Sequence, residues 1–205
     1  MTTVAEPGRQ ALKARQTRER IINAVIELIT EGGYGAASSS RIARRAGVTW
    51  GAVQHHFGSK DDILAAVLER SHQHFTALME DERLAQGELG RRVQLFVDRF
   101  WQHYQSDLYL AALEILLATR QQADRGIDTA ALVAQQSQSH LATMKRIFSD
   151  SPCSDEQYLA ALILVHTFLT GLTIGRVFEH GRDSEECSLE RVKALLQDML
   201  RGEGC

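Results

Sequence analysis

The chain has 205 residues, of which 44% are apolar and 24% charged, values ordinary for a globular protein of one or two domains. The longest apolar stretch, residues 158–178, is interrupted by His166 and Arg176, so a buried interface helix is expected rather than a membrane span. The N-terminus lacks the apolar segment of a signal peptide, and the three cysteines are widely spaced. These features favour a cytoplasmic protein with reduced thiols and no zinc site.

The net charge of −3 is unevenly distributed. Residues 1–60 carry nine Lys and Arg against four Glu, a net charge of +5, whereas residues 61–205 carry 14 basic and 22 acidic side chains, a net charge of −8. A basic head on an acidic body is typical of a protein whose head meets a polyanion. Chance clustering on a solvated surface is the alternative.

The first predicted helix runs from Thr17 to Thr30. Ile21, Val25 and Leu28 repeat at the spacing of one helix face. Thr17 is the expected N-cap, and Gly32-Gly33 is expected to end the helix. Residues 1–14 are predicted to form a flexible basic arm.

Three short helices are predicted after this one, with Ser38, Thr49 and Ser59 as their N-caps. Gly47 supplies a turn that needs positive φ, and Gly58 ends the second of the three helices. The apolar positions of the third helix continue toward Leu78, so this helix is expected to link the head to the body.

The segment 38–57 has the pattern of a helix-turn-helix. Such a motif needs a small residue where its helices cross, here Ala43, a glycine at the turn, here Gly47, and apolar contacts. Its second helix enters the major groove of DNA and its first lies across the backbone, where Arg41, Arg44 and Arg45 suit phosphates. The predicted apolar contacts are Ile42, Ala46, Val48 and Val53.

The remainder reads as five more helices, so the predicted fold is all-α. Domain boundaries are placed at 15–70 for the helix-turn-helix head and 71–205 for the helical body. The five helices are predicted at Leu89–Gln105, Leu108–Gln122, Ile127–Phe148, Ser154–His180 and Leu189–Leu200.

The segment from Thr17 to Glu69, "TRERIINAVIELITEGGYGAASSSRIARRAGVTWGAVQHHFGSKDDILAAVLE", resembles the DNA-binding head of TetR-type transcriptional regulators. The landmarks are Ser38, Ile42-Ala43, Ala46-Gly47-Val48-Thr49, Phe57, Lys60 and Ile63. The resemblance covers about a quarter of the chain. Together with the pattern above, it implies the DNA-binding residues Ser38, Ser39, Ser40, Arg41, Arg44, Thr49, Trp50, Gly51, Ala52, Gln54, His55, His56 and Lys60.

Two of these positions depart from the family pattern. Gln54 replaces a common tyrosine and could read adenine through its amide. Trp50 replaces a small or polar residue or lysine, and is expected to face outward, with packing inward near Val53 as the alternative.

The histidines and serines of the head do not predict catalysis or metal binding. Adjacent residues such as His55 and His56 point about 100° apart on a helix and cannot easily share one ion. No nucleophile elbow accompanies the serines, which are better explained as caps, so neither an enzyme nor a cofactor is expected. His103, His140 and His166 are expected in the core or at a pocket rim.

The body is expected to hold either a plain core or a pocket for a small apolar or amphipathic effector. The resulting interpretation is a homodimeric repressor that leaves a near-palindromic operator when an effector binds. The alternative is control by a partner protein. Dimerisation is expected through the helices near 154–180 and 189–200. The proposed pocket residues are Phe96, Phe100, Trp101, Tyr104, Leu113, Leu117, Met144, His166 and Thr170.

Overall fold

A computed structural model describes residues 8–120, 128–178 and 185–202. The regular structure in these segments is helical, which confirms the all-α prediction. Two short 3-10 helices, Tyr34–Ala36 and Glu82–Ala85, accompany the α-helices. The α-helices are α1 Arg9–Gly32, α2 Ser39–Ala46, α3 Trp50–Phe57, α4 Lys60–Met79, α5 Leu89–Tyr104, α6 Asp107–Thr119, α7 Thr129–Ile147, α8 Asp155–Phe178 and α9 Glu185–Leu200.

The chain divides into two compact units. The first is formed by Met1–Ser71 with Leu110–Thr129, and the second by His72–Tyr109 with Ala130–Cys205. The sequence placed all residues after 70 in the second domain, whereas most of α6 belongs to the first unit. One reason is visible in the first unit, where the backbone N–H of Tyr34 donates to Glu114 of α6 at 2.8 Å. A pairing over 80 residues leaves no periodic signal in the sequence.

Helix α1 begins at Arg9, eight residues before the predicted start. Thr17 is not its N-cap, because its hydroxyl donates to the carbonyl of Lys13 at 3.0 Å within the helix. Residues 9–14 are therefore helical, and the expectation of a flexible arm over 1–14 is wrong for them; residues 1–7 lie outside the described residues. Ala, Leu, Lys, Arg and Gln dominate this segment and have high helix propensity, which explains the extension.

Local caps determine the end of α1 and the start of α8. Gly33 ends α1 with φ 73°. Ser154 and Gln157 form a capping box at α8, in which the Ser154 N–H donates to the Gln157 amide oxygen at 2.8 Å and the Gln157 N–H donates to the Ser154 hydroxyl at 3.3 Å. The ends predicted at Gln122, Ile127 and His180 lie outside the described residues.

The second unit has a core rich in aromatic side chains. Phe75, Phe96, Phe100 and Phe148 are almost fully buried, and their rings pack pairwise, with Phe75 and Phe100 at 4.7 Å between centroids. Buried Arg92 closes one edge of this core. Its guanidinium donates to both oxygens of Asp150, at 2.7 and 2.6 Å.

Helix α8 is long and apolar. Within the described part of the chain it is the one helix whose length and mean hydropathy, 1.7, would suffice to cross a membrane, and a third of its most apolar window is buried in the protein. Core helices of soluble proteins share this composition, so the finding is weak evidence for a membrane. The large apolar side chains that α8 leaves exposed are Leu159, Ile163, Ile174, Val177 and Phe178.

Candidate nucleic-acid interface

Helices α2 and α3 are joined by the sharp turn that the sequence predicted. Gly47 has φ 67° and ψ 36°, the left-handed conformation in which glycine is favoured. Ile42, Ala43, Ala46 and Val53 are buried, as the predicted packing of the two helices requires, and Val48 is half-buried. This packing leaves the other faces of both helices open.

The N-terminal ends of the short helices are held differently. The Thr49 hydroxyl accepts the Ala52 N–H at 3.2 Å and caps α3 as predicted. Ser38 occupies the N-cap position of α2, but its side chain forms no capping hydrogen bond. At the start of α4, Ser59 and Asp62 cap each other, with N–H···O distances of 2.9 and 3.1 Å.

None of the thirteen residues proposed to contact DNA is buried. Gln54 stands on the exposed side of α3, while Trp50 and His56 are partly covered. The exposed set is Ser40, Arg41, Arg44, Thr49, Gly51, Gln54 and His55, and the half-buried set is Ser38, Ser39, Trp50, Ala52, His56 and Lys60.

Lys60, at the first position of α4, already has a partner in the same unit. Its ammonium lies 4.8 Å from the centre of the Tyr34 ring. Burial lowers the pKa of Lys60, and the nearby Asp61 carboxylate opposes that shift. The Lys60 side chain therefore packs against Tyr34 but is still accessible to a phosphate.

Arg45 differs from its neighbours on α2. Its guanidinium donates to both oxygens of Glu31, at 2.8 and 2.6 Å, and to Glu27 at 3.1 Å. The hydrogen bonds that Arg45 donates to Glu31 and Glu27 raise the pKa of Arg45. Arg45 therefore joins α2 to α1, and the expectation that it serves phosphates alongside Arg41 and Arg44 is not supported.

Arg18 is a residue of the interface that sequence reasoning missed. Its guanidinium donates to the carbonyl of His56 at the end of α3 and lies 4.0 Å from the centre of the Phe57 ring. A contact across 38 residues gives no local signal; the only hint is a basic residue on the first helix. Arg18 holds the C-terminal end of α3 against α1.

The histidines of α3 do not converge on a common point. The rings of His55 and His56 are 5.5 Å apart and inclined by 67°. Among the residues that the structure describes, no three His, Cys, Asp or Glu side chains are placed to hold a metal ion. The arrangement of α2 and α3 presents hydrogen-bonding and cationic side chains on a surface, which suits a large polyanionic partner.

The proposed effector residues fall in both units. Phe96, Phe100 and Met144 are fully buried in the second unit, while Leu113 and Leu117 belong to the first, where Leu117 is half exposed. Trp101 and Tyr104 are also buried in the second unit, and His166 and Thr170 are half-buried there.

A cluster of histidines and tyrosines lies within the second unit. His140 Nδ1 is 3.2 Å from His166 Nε2, and His166 Nδ1 is hydrogen-bonded to the Tyr104 hydroxyl. Next to these hydrogen-bonded residues, the Tyr109 and Thr170 hydroxyls are 2.9 Å apart. We call His72, His74, His103, His140 and His166, with Tyr104 and Tyr109, the histidine cluster.

Burial disfavours the charged form of three histidines in the cluster. It lowers the pKa of His103 and His140 to about 3 and of His166 to about 4, with neighbouring histidines adding to the shift for the first two. The sequence identified His103, His140 and His166 as core or pocket-rim residues. It did not identify His72 and His74, whose rings face His140 and His103 respectively.

The comparisons with known proteins agree with this geometry. Residues 21–67 match the family model of bacterial regulatory proteins of the tetR family. The regulator TtgW of Pseudomonas putida is 48% identical over 64 residues, 31% of this chain and 47% of its own length, so the match spans less than half of that relative. The repressor KstR of Mycolicibacterium smegmatis is 26% identical over 175 residues, 84% of each protein.

Solved structures share the whole fold. A TetR-family regulator from Mesorhizobium loti superposes with a TM-score of 0.71 at 20% identity, over 92% of this chain and 96% of its own. FadR of Bacillus subtilis, in complex with stearoyl-CoA, superposes with a TM-score of 0.62 at 18% identity, over 91% and 99%. Residues 21–67 therefore match the tetR family of helix-turn-helix transcriptional regulators, and the chain shares the fold of solved TetR-family regulators.

Proposed function

We propose that this protein binds a near-palindromic operator as a homodimer, represses transcription in the cytoplasm, and leaves the operator when a small molecule binds its second unit. The observation that carries the proposal is the exposed surface of α2 and α3 around the left-handed turn at Gly47. A helix presented in this way fits the major groove, which is about 12 Å wide.

Several residues of this surface have a role that their chemistry supports. Gln54 on α3 offers an amide that can pair with adenine, and Trp50 offers a face for a thymine methyl or the sugar-phosphate backbone. Arg41 and Arg44 on α2 are exposed cations suited to phosphates. Lys60 adds a further phosphate contact from its place above Tyr34.

A second copy of the chain is the proposed partner of α8 and α9. Ile163 of α8 is 55% exposed and Leu195 of α9 is 52% exposed, although large apolar side chains favour burial. A twofold-symmetric dimer would place two recognition helices in successive major grooves, about 34 Å apart.

Effector control is supported by the second unit and by a relative. FadR, of the same fold, was solved with stearoyl-CoA, and the second unit of this chain contains a polar cluster within an aromatic core. Helix α4 contributes His72 and His74 to that cluster and begins in the first unit at Lys60. A ligand that shifts α4 would change the affinity of the head for DNA.

Selection of bound sequences from a random DNA pool, with the full-length protein, tests the DNA-binding part of the proposal. We expect an enriched inverted repeat whose half-sites are about one helical turn apart. Recovery of no common sequence would overturn it. A thermal-shift screen of metabolites separates effector control from control by a partner protein, since a bound ligand raises Tm.

A further inference from the structure

Two nitrogen atoms of the histidine cluster are buried without a hydrogen-bond partner among the described residues. They are Nδ1 of His72 and Nε2 of His140. The two rings are neighbours, 6.0 Å apart between centroids and inclined by only 27°. Buried polar atoms are paired in more than about 90% of cases, so two on adjacent rings indicate a place for a further group.

His140 stands at the end of a hydrogen-bonded chain. If the Tyr104 hydroxyl donates to His166 Nδ1, then His166 Nε2–H donates to His140 Nδ1, and His140 Nε2 carries a hydrogen with no acceptor. If the hydrogen bonds run in the reverse direction, His140 Nε2 carries a lone pair that accepts from no donor. Either way, the chain ends at an atom that can take one more hydrogen bond.

The surroundings of His140 Nε2, where this series of hydrogen bonds ends, are apolar. The centroid of the His140 ring lies 3.9 Å from that of Phe75 and 6.3 Å from that of Phe100. Met144, one turn further along α7, is fully buried. A ligand at this point would meet nitrogen atoms at one end and hydrocarbon along its body.

The titratable groups that accompany His140 in the histidine cluster are bases or weak phenols. His72 and His74 come from α4, His103 and Tyr104 from α5, Tyr109 from α6 and His166 from α8. The groups that disfavour a charge on His140, besides burial itself, are His166, His72 and His103. An anion brought to this point would favour protonation of an imidazole, because an opposite charge stabilises the charged form.

We propose that His140 and His72 form the polar end of a binding site for a small amphipathic carboxylic acid, and that the acid binds with uptake of one proton. The carboxylate accepts a hydrogen bond from His140 Nε2–H, and a proton from solvent converts His140 to imidazolium. His140 Nδ1–H then donates to His166 Nε2, and His166 Nδ1–H donates to Tyr104. The buried complex carries no net charge, which limits its desolvation cost.

The inference names the class of effector and therefore rests on the proposed function. A neutral ligand would bind without proton uptake. A divalent metal would compete with protons for imidazole, so its affinity would fall toward low pH. The direction of the pH dependence therefore separates the three classes of ligand.

The test uses two matched pairs of probes, octanoate with octanamide and phenylacetate with phenylacetamide, on the full-length protein. Isothermal titration calorimetry in two buffers of different ionisation enthalpy counts the protons taken up. We expect at least one acid to bind about tenfold more tightly than its amide, with uptake of about one proton and with affinity rising from about pH 8 to about pH 6.

Two variants test whether acid binding and proton uptake depend on His140. His140→Gln keeps a polar side chain of similar length but cannot take a proton, so we expect the affinity for the acid to fall about tenfold and the proton uptake to be lost. His55→Gln, on exposed α3, is the matched control and should bind the acid as the wild type does. Circular dichroism checks that both variants are folded.

Three outcomes would overturn the inference. They are equal binding of acid and amide without proton uptake, no binding of either acid, and unchanged binding by His140→Gln. Selection of an operator by the same protein is independent of these results. Failure of the ligand inference can thus be told apart from failure of the proposed function.

Discussion

Arg45 and Glu31 form a two-pronged ion pair, with both guanidinium N–H groups of Arg45 bonded to the Glu31 carboxylate at 2.8 and 2.6 Å. Hydrogen bonding to Arg45 lowers the pKa of that carboxyl. The pair joins α2 to α1. It also distinguishes Arg45 from its neighbour Arg44. Arg44 points to solvent, while Arg45 is held within the unit.

We therefore expect Arg44→Ala and Arg45→Ala to differ in their effect on DNA binding. Removing Arg44 should weaken binding to operator and random DNA alike and lower the slope of log K against log salt concentration by about one. Fluorescence anisotropy at several salt concentrations measures that slope.

Arg45→Ala is the control. It should leave the salt slope unchanged and lower the free energy of unfolding only slightly, since its partners are exposed. A full unit of slope lost in Arg45→Ala, with none lost in Arg44→Ala, would reverse the assignment.

Gln54 on α3 is expected to read sequence. Gln54→Ala should reduce discrimination at one operator base pair by about 1–3 kcal/mol, because a bidentate amide contact to adenine is lost. Binding of single-base operator variants measures this. Equal losses on operator and random DNA would show that Gln54 does not read a base.

The architecture of the head followed from the sequence because its signals are local. Gly47 and Thr49 act on their immediate neighbours, and the apolar spacing that buries Ile42 and Val53 repeats within two turns. The sequence signals for where a helix begins were less reliable. Thr17 has the chemistry of an N-cap, yet favourable helix propensity carries α1 back to Arg9.

The side-chain partnerships that tie helices together could not be predicted in this way. Arg18 meets His56 across 38 residues and Glu114 meets Tyr34 across 80. Only the packing of α4, α5 and α7 shows which rings His72 and His74 face. A single sequence carries periodicity but not the pairing of distant helices.

The histidine cluster should make the fold sensitive to acid. His103, His140 and His166 have a lowered pKa when folded, so the unfolded chain binds more protons once the pH falls below about 6.5. Stability from these groups is present above that pH and is lost as the pH falls toward their folded pKa values. Each group adds up to about 1.4 kcal/mol per pH unit to the slope.

Urea unfolding at about pH 7, 6 and 5 measures this slope. His140→Gln should make the loss of stability less steep, since one titrating group is removed. His55→Gln, exposed on α3, should leave the slope as it is. An identical slope in His140→Gln and wild type would contradict the assignment of acid sensitivity to the cluster.

The exposed apolar positions of α8 and α9 should form the dimer surface. Ile163→Glu or Leu195→Glu would place a carboxylate in a self-complementary apolar contact, and its burial without a partner should convert the dimer to monomers. Sedimentation equilibrium measures the state of association.

Val133→Glu on α7 is the matched control, because Val133 is 43% exposed but lies on neither helix. It should remain dimeric. A dimer that survives both Ile163→Glu and Leu195→Glu would place the interface elsewhere.

The turn between α2 and α3 is determined by stereochemistry and not by volume. A Cβ atom built at Gly47 meets no heavy atom within 4 Å, yet the backbone there has φ 67° and ψ 36°. Space is available for a methyl group, but an L-residue is penalised by its own backbone. A D-amino acid has the mirror-image preference and would suit both the torsion angles and the space. The bend between α2 and α3 therefore disfavours an L-residue at position 47 through backbone stereochemistry alone.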